Sequence, residues 1–317
     1  VLVQLFERRV LTYTESNNVP YRIEWGNIGQ HYQGWRDADA GPAPCPDSPA
    51  GTYVYVADQL NDRIQKFDGA GNFVCSWVGD YDLDGPSARP QALAVDNQNN
   101  LYVNALGRIE KYDQRGRFVS SWGDDINAWD IAIDSQGNFY MTDVASSSVI
   151  KYGPSGNLIT QWGDYGAGAG QFDSPTGISV DGQNNVYVAD SNNDRIQKFT
   201  SNGGYVDEWT ADGEEADLWG FPASVAADNA GNTYATSIRI YKFGTDGGLQ
   251  DIFGDVADIT GSGDIDVAAN GTIYAIDRNN VLINAFAANG TLLDDWGSQG
   301  SGQGQFNSPV GIATAGR

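Results

Sequence analysis

Histidine is all but missing from this chain. Its 317 residues hold one, His31, so a Ser-His-Asp or Cys-His relay has no imidazole anywhere else in the sequence. There are only two cysteines, which also leaves a zinc site short of its usual ligands. His31 sits in "GQHYQGW", where it reads as a packed member of an aromatic cluster. Basic residues are scarce: 18 Lys and Arg stand against 41 Asp and Glu, for a net charge of −23. Nucleic acid and anionic membrane surfaces, which are gripped by clustered cations, are therefore not expected partners. Long apolar runs are absent as well. Nothing approaches the roughly 20 residues that cross a bilayer, and the opening "VLVQLF" is too short for a signal-peptide core. The chain starts at Val1 rather than Met, so it is expected to come from a longer, processed precursor.

What is present is regular. Residues 56–67 read "VADQLNDRIQKF" and residues 188–199 read "VADSNNDRIQKF", ten positions of twelve being identical. A globular chain has no local reason to repeat such a string, so duplication of a structural unit is expected. A Lys-aromatic anchor recurs at Phe67, Tyr112, Tyr152, Phe199, Phe243 and Phe286, with Ala285 in place of the last Lys. Ten residues after each comes Trp77, Trp122, Trp162, Trp209, Phe253 and Trp296. The units are thus six, spaced by 45, 40, 47, 44 and 43 residues. The 40 glycines fall at turn positions between them, as in a folded, turn-rich all-β chain.

One unit reads as four strands: "GISVD" (177–181), "NVYVAD" (185–190), "RIQKF" (195–199) and "YVDEW" (205–209). Each run is rich in Val, Ile, Tyr and Phe and bounded by turn formers. Six such units predict a six-bladed β-propeller of four-stranded antiparallel blades. Small residues in the innermost strands, such as Ala92, Ala94 and Ser179, suit the taper toward the axis. "VADSNNDRIQKF", with "SPTGISVD" before it, resembles the NHL repeat, whose family fold is a six-bladed propeller. The resemblance covers roughly residues 51–317. The His of the family's name is replaced by Asp62 and Asp194. Some NHL propellers are amidating lyases with histidine-bound zinc, an activity that histidine-free blades do not carry over.

The first unit lacks an innermost strand, and "GQFNSPVGIATAG" (304–316), which matches "GQFDSPTGISVDG" (170–182), is expected to supply it. The C-terminal strand then closes the ring by completing blade one, covering sheet edges that invite aggregation. The paired segments suggest duplication of a three-blade ancestor. In blades one and four, Asp58 faces Arg63 and Asp190 faces Arg195, read as exposed turn-locking ion pairs contributing about 0–1 kcal/mol each.

Residues 1–50 fit no blade. They read as a strand-like N-terminal arm followed by a Pro-rich linker, ahead of a propeller over residues 51–317. The stretches "FERRVLTYT" and "EWGNIGQHY" resemble the closing segment of an upstream domain in secreted bacterial multidomain proteins, implying a larger secreted bacterial precursor. Cys75 stands where the other units carry Ser120, Thr160, Asp207, Asp251 and Asp294. An exposed thiol is a liability, so a Cys45–Cys75 disulfide is expected, stabilising by about 3 kcal/mol and implying an oxidising compartment.

Acidic linkers and turns are expected to share one face of the ring. Asp82 and Asp84 lie in "GDYDLDG", Asp124 and Asp125 in "GDDIN", and Glu214 and Glu215 in "ADGEEADLWGF". Tyr81, Tyr165 and Trp219 are interspersed, with Asp62 and Asp194 in the adjoining turns. This face is the candidate binding surface for a protein partner, for self-association or for carbohydrate. No cofactor is expected. Calcium held by carboxylates and carbonyls stays open, although the spacing matches no EF-hand loop. The sequence favours a non-enzymatic extracellular or cell-surface module for protein binding or assembly. A filament or surface-layer subunit joined through the arm and a calcium-dependent hydrolase or lyase are the alternatives.

Overall fold

A computed structural model describes residues 2–6, 9–13, 45–46, 49–78, 89–123, 125–211, 219–254 and 262–316. The chain divides into two compact units, Val1–Pro42 and Ala43–Arg317. In the first, Leu2–Phe6 pairs antiparallel with Arg9–Tyr13.

The second unit is a ring of six blades, each a four-stranded antiparallel sheet. Blade four shows how the sequence makes one. Its strands are Pro175–Val180, Val186–Asp190, Arg195–Phe199 and Tyr205–Trp209, in that order from the axis outward. The first begins two residues before the "GISVD" run because a register shift between Pro175 and Ile178 carries the pairing back to Asp190. In all six blades the third and outermost strands slip register at the anchor pair, as at Lys198/Phe199 and Lys66/Phe67. An extra residue at a bulge re-aims the side chain that follows. Here Phe67, Tyr112, Phe199, Phe243 and Phe286 are buried, and the bulge is built into the constant ten-residue step from anchor to Trp.

Blade one is closed from a distance. Pro309–Ala315 pairs antiparallel with Tyr53–Asp58, whose other edge carries Arg63–Asp68 and then Phe73–Val78. Each innermost strand also packs against those of both neighbouring blades, so Pro309–Ala315 meets Pro90–Val95 of blade two on one side and Ser262–Val267 of blade six on the other.

The blades are held together by rings of aromatic carbon. Trp162 of blade three lies on Gly203 of blade four, and Trp209 lies on Gly247 of blade five; a Cβ on either glycine would come within 2.6 and 2.8 Å of the indole. Both glycines have positive φ, 83° and 78°, so the left-handed turn and the close approach demand the same residue. Trp122, Phe253 and Trp296 repeat the contact on Gly156, Gly290 and Gly71. Five anchor rings also meet the aromatic of the next blade's Lys-aromatic or Ala-aromatic pair, as in Trp77–Tyr112 at 6.0 Å and Trp296–Phe67 at 5.7 Å between centroids.

At the fourth interface a linker residue takes that second role. Trp219 sits 5.5 Å from Phe243 and 4.8 Å from Tyr241. Phe172 and Phe306 pack the same way on Phe199 and Phe67. Trp219 is 9% exposed, which corrects its assignment to the binding surface: it is an interface wedge.

The indole N–H of Trp209 has no acceptor among the described residues, so the ring works by area and dispersion rather than by hydrogen bonding. Trp209→Phe should lower unfolding free energy by less than about 1.5 kcal/mol, and Trp209→Ala by about 3–5 kcal/mol. Urea unfolding of the two variants checks this order.

Candidate functional site

The repeated string is a clamp. In blade four, Arg195 Nε donates to Asp190 Oδ2 at 2.8 Å, while its terminal nitrogens donate to the carbonyls of Ala167, Gly168 and Gln171 and to Glu208 Oε2. Gln197 donates to Gln171 O and accepts from Gly170 N, and Asp190 Oδ1 accepts from Asp173 N. The same side chains in blade one bind the same loop positions: Arg63 holds the carbonyls of Ser301, Gly302 and Gln305, Gln65 holds Gln305 O, and Asp58 accepts from Asn307 N. The string recurs only where a "GQF" loop enters a blade, because its first Asp, its Arg and its Gln each have a backbone group of that loop to satisfy. The ion pairs are not exposed as the sequence reading had them. The Asp58 and Asp190 side chains are 0% exposed and those of Arg63 and Arg195 13% and 7%. Losing one partner would strand a buried charge, which costs several kcal/mol rather than a fraction of one.

Asp62 and Asp194 are structural too. Each ends a short 3-10 turn in the left-handed conformation, with φ of 53° and 52°. Asp62 Oδ1 accepts from Arg89 N, and Asp194 Oδ1 accepts from Phe221 N at 2.7 Å. Both carboxylates therefore fasten the linker to the next blade, Asp194 while exposed and Asp62 while half-buried. Cys45 and Cys75 are bonded, with S–S 1.97 Å. The Cys75 position is not exposed as expected: Cys75 is 5% and Cys45 1% accessible.

Asp125 and Tyr165 are exposed, the latter at 73%. Tyr81, Asp82, Asp84, Asp124, Glu214 and Glu215 lie outside the described residues, as does His31. Among the described residues no three His, Cys, Asp or Glu side chains converge as metal ligands do.

The structure brings a different set together, at the mouth of the central channel on the face of the blade-linking loops. A cavity of about 140 Å³ is walled there by Trp129, Phe221 and Arg278 and floored by Asp130 and Asp264. Trp129 and Phe221 are 46% and 68% exposed. Trp129 N donates to Thr142 O, and Asp194 fixes Phe221 at φ 50°. Bulky side chains rarely adopt that left-handed backbone.

The two carboxylates belong to one layer. Counting along the innermost strands from the turn that follows each, the positions equivalent to Gly177 are Gly311, Ala92, Asp130, Ser224 and Asp264. Blades three and six are opposed in a ring of six, so the two Asp residues face each other across the axis. Asp130 accepts from Ile131 N and from Ile178 N of blade four; Asp264 accepts from Ser224 Oγ of blade five and Ile312 N of blade one. Burial, with repulsion from Asp264, raises the Asp130 carboxyl well above the usual range. Burial pushes Asp264 up to about 6. None of Trp129, Asp130, Phe221, Asp264 and Arg278 was singled out from the sequence. The available signal was this register, in which two small positions of one layer are filled by Asp.

Residues 172–199 match the family model described as NHL repeat. A streptogramin B lyase structure is 19% identical, with 87% of each chain covered and a TM-score of 0.57. A chain of a nidogen/laminin complex is 17% identical over 84% of this chain and 98% of that one, with a TM-score of 0.61. A catalytically inactive histidine-to-alanine variant of virginiamycin B lyase from Staphylococcus aureus, solved with quinupristin, is 13% identical over 71% of this chain and 74% of that one, with a TM-score of 0.53. These likenesses establish the shared fold. No curated protein sequence matches the chain.

A carboxyl whose pKa is raised on folding favours the folded state below its unfolded value, and that benefit is lost as pH rises through the folded value. For Asp264 the window runs from the ordinary 3.8 to about 6. Asp264→Asn removes the titration, so the Tm of the variant minus that of the wild type should rise between pH 4 and pH 7. Thermal melts of the two proteins across that range check the sign.

Proposed function

We propose that this six-bladed propeller with its NHL repeat is a non-enzymatic extracellular or cell-surface module that binds a protein partner through the channel mouth. The observation carrying the reading is the pair of exposed aromatic side chains, Trp129 and Phe221, standing over a polar cavity at the axis. Buried aromatic anchors dominate the energetics of protein interfaces. Phe221 is more than a stray apolar surface residue, because a bulky side chain in the left-handed region costs about 1–3 kcal/mol. Its side chain is left 68% exposed, and contact with a partner would supply an offset.

A protein partner accords with the nidogen structure, a propeller neighbour solved in complex with laminin. The lyase neighbours supply the rival reading. One of them is inactivated by replacing a histidine, whereas this chain's single histidine is His31, outside the blades. The Cys45–Cys75 bond suits an oxidising location. No helix among the described residues is long and apolar enough to cross a membrane.

Immobilised wild-type protein and a Trp129→Ala/Phe221→Ala double variant should be exposed to extracellular proteins of the source. A partner retained by the wild type should bind the double variant at least tenfold more weakly, while Leu293→Ala, on the outer rim of blade six, leaves retention unchanged. Equal retention by all three proteins would remove the channel mouth as the binding surface.

A further inference from the structure

The channel mouth combines two features that belong to different ligand chemistries when taken singly. Its rim is aromatic and apolar, from Trp129 and Phe221; its floor is anionic, from Asp130 and Asp264. A purely apolar ligand would leave the carboxylates without solvent or counter-charge. A simple metal ion would gain nothing from the aromatic rim. A group with a hydrocarbon stem and a positive head uses both: the stem lies against the rings, the ring faces attract the charge, and the head reaches the carboxylates.

We propose that the channel mouth is a socket for one cationic side chain, an ammonium or guanidinium on an alkyl stem, presented by a loop of the protein partner. The assignment rests on the protein-binding reading above and names what that partner inserts.

Charge complementarity selects this occupant. Asp130 and Asp264 are opposed at the axis, and neither has a cationic partner among the described residues: their hydrogen bonds come from backbone N–H groups and from Ser224 Oγ. Each carboxylate is pinned to the innermost strand of a neighbouring blade by one of those bonds, so it cannot swing away to relieve the repulsion. Asp266, one layer deeper, is engaged in the same way by Thr314 N and Oγ1 and adds to the negative field around Asp130. The lining cation, Arg278, is exposed on the rim, where water screens its charge; Asp130 is buried and Asp264 half-buried, so the carboxylates are screened less. The field at the floor is therefore set by the carboxylates. The cavity, about 140 Å³, suits a side chain rather than a folded segment.

The socket carries its own signature. With burial and mutual repulsion keeping a proton on the pair, an arriving cation takes over the proton's role and the proton leaves to solvent. Binding and proton release are thus linked.

The test uses n-butylammonium as the probe and 1-butanol as its neutral isostere, by titration calorimetry of the full chain at pH 6 in buffers of different ionisation enthalpy. Butylammonium should bind saturably, at least tenfold more tightly than butanol, and release a fraction of a proton up to one; butanol should release none. Phe221→Ala should weaken butylammonium binding severalfold and keep the release. Asp264→Asn should weaken binding and reduce the release, while Asp251→Asn, at an exposed carboxylate on the outermost strand of blade five, should change neither. Equal binding of the two probes, butylammonium binding without proton release, or stoichiometric displacement by calcium would each overturn the socket. None of these results touches the partner-retention experiment, so the socket can fail while the protein-binding surface stands.

Discussion

A blade of this kind has apolar side chains on both faces of its sheet, and only another blade can cover them. The contact meeting that need is an aromatic ring laid directly on the backbone of a glycine turn, as with Trp162 on Gly203 and Trp209 on Gly247. Carbon at van der Waals distance from a bare backbone gains dispersion and excludes water, but only if nothing projects from the turn. The same contact sets how near the blades approach at the outer radius. With the outer spacing set, the innermost strands are drawn into a ring, and the side chains of one layer meet at the axis. The opposed carboxylates of Asp130 and Asp264 are therefore a product of the ring's geometry as much as of their own identity.

Much of this was legible from periodicity. The Lys-aromatic and Trp anchors gave the number of blades, and the matched "GQF" segments pointed to the strand that closes blade one. These features are local in sequence or repeated, so one copy interprets another. Most of the readings that changed concern what a side chain touches in another blade or linker. Asp62 and Asp194 were read as part of the acidic binding face, and each also fastens the linker to the next blade. Trp219 looked like an aromatic among acidic loop residues, yet its partners Tyr241 and Phe243 lie in the blade that follows. The channel mouth was hidden for the same reason. Trp129, Phe221 and Arg278 belong to blades three, five and six, and no spacing along the chain announces that they surround one cavity.

The twin clamps show what near-identity means in such a ring. Arg63 and Arg195, with Gln65 and Gln197, are held in common because each must satisfy the carbonyls of an equivalent loop. Where the incoming loop differs, as before blades two, three, five and six, the string is free to differ. Conserved polar residues within one chain thus mark a shared structural task, and the residues that break the layer pattern are the better guide to what the protein engages.

The closing strand also orders events in time. Five blades are meanders whose strands follow one another in sequence, so their pairings need only short loops. Blade one must wait for residues 309–315, and Asp58 finds the N–H of Asn307 across 249 positions of chain. Contacts so distant form late and raise the barrier to folding. Until that strand arrives, Tyr53–Asp58 presents an unpaired edge, a template for another molecule's strand. The slowest step in assembling the ring is therefore also the interval in which the chain is most exposed to aggregation.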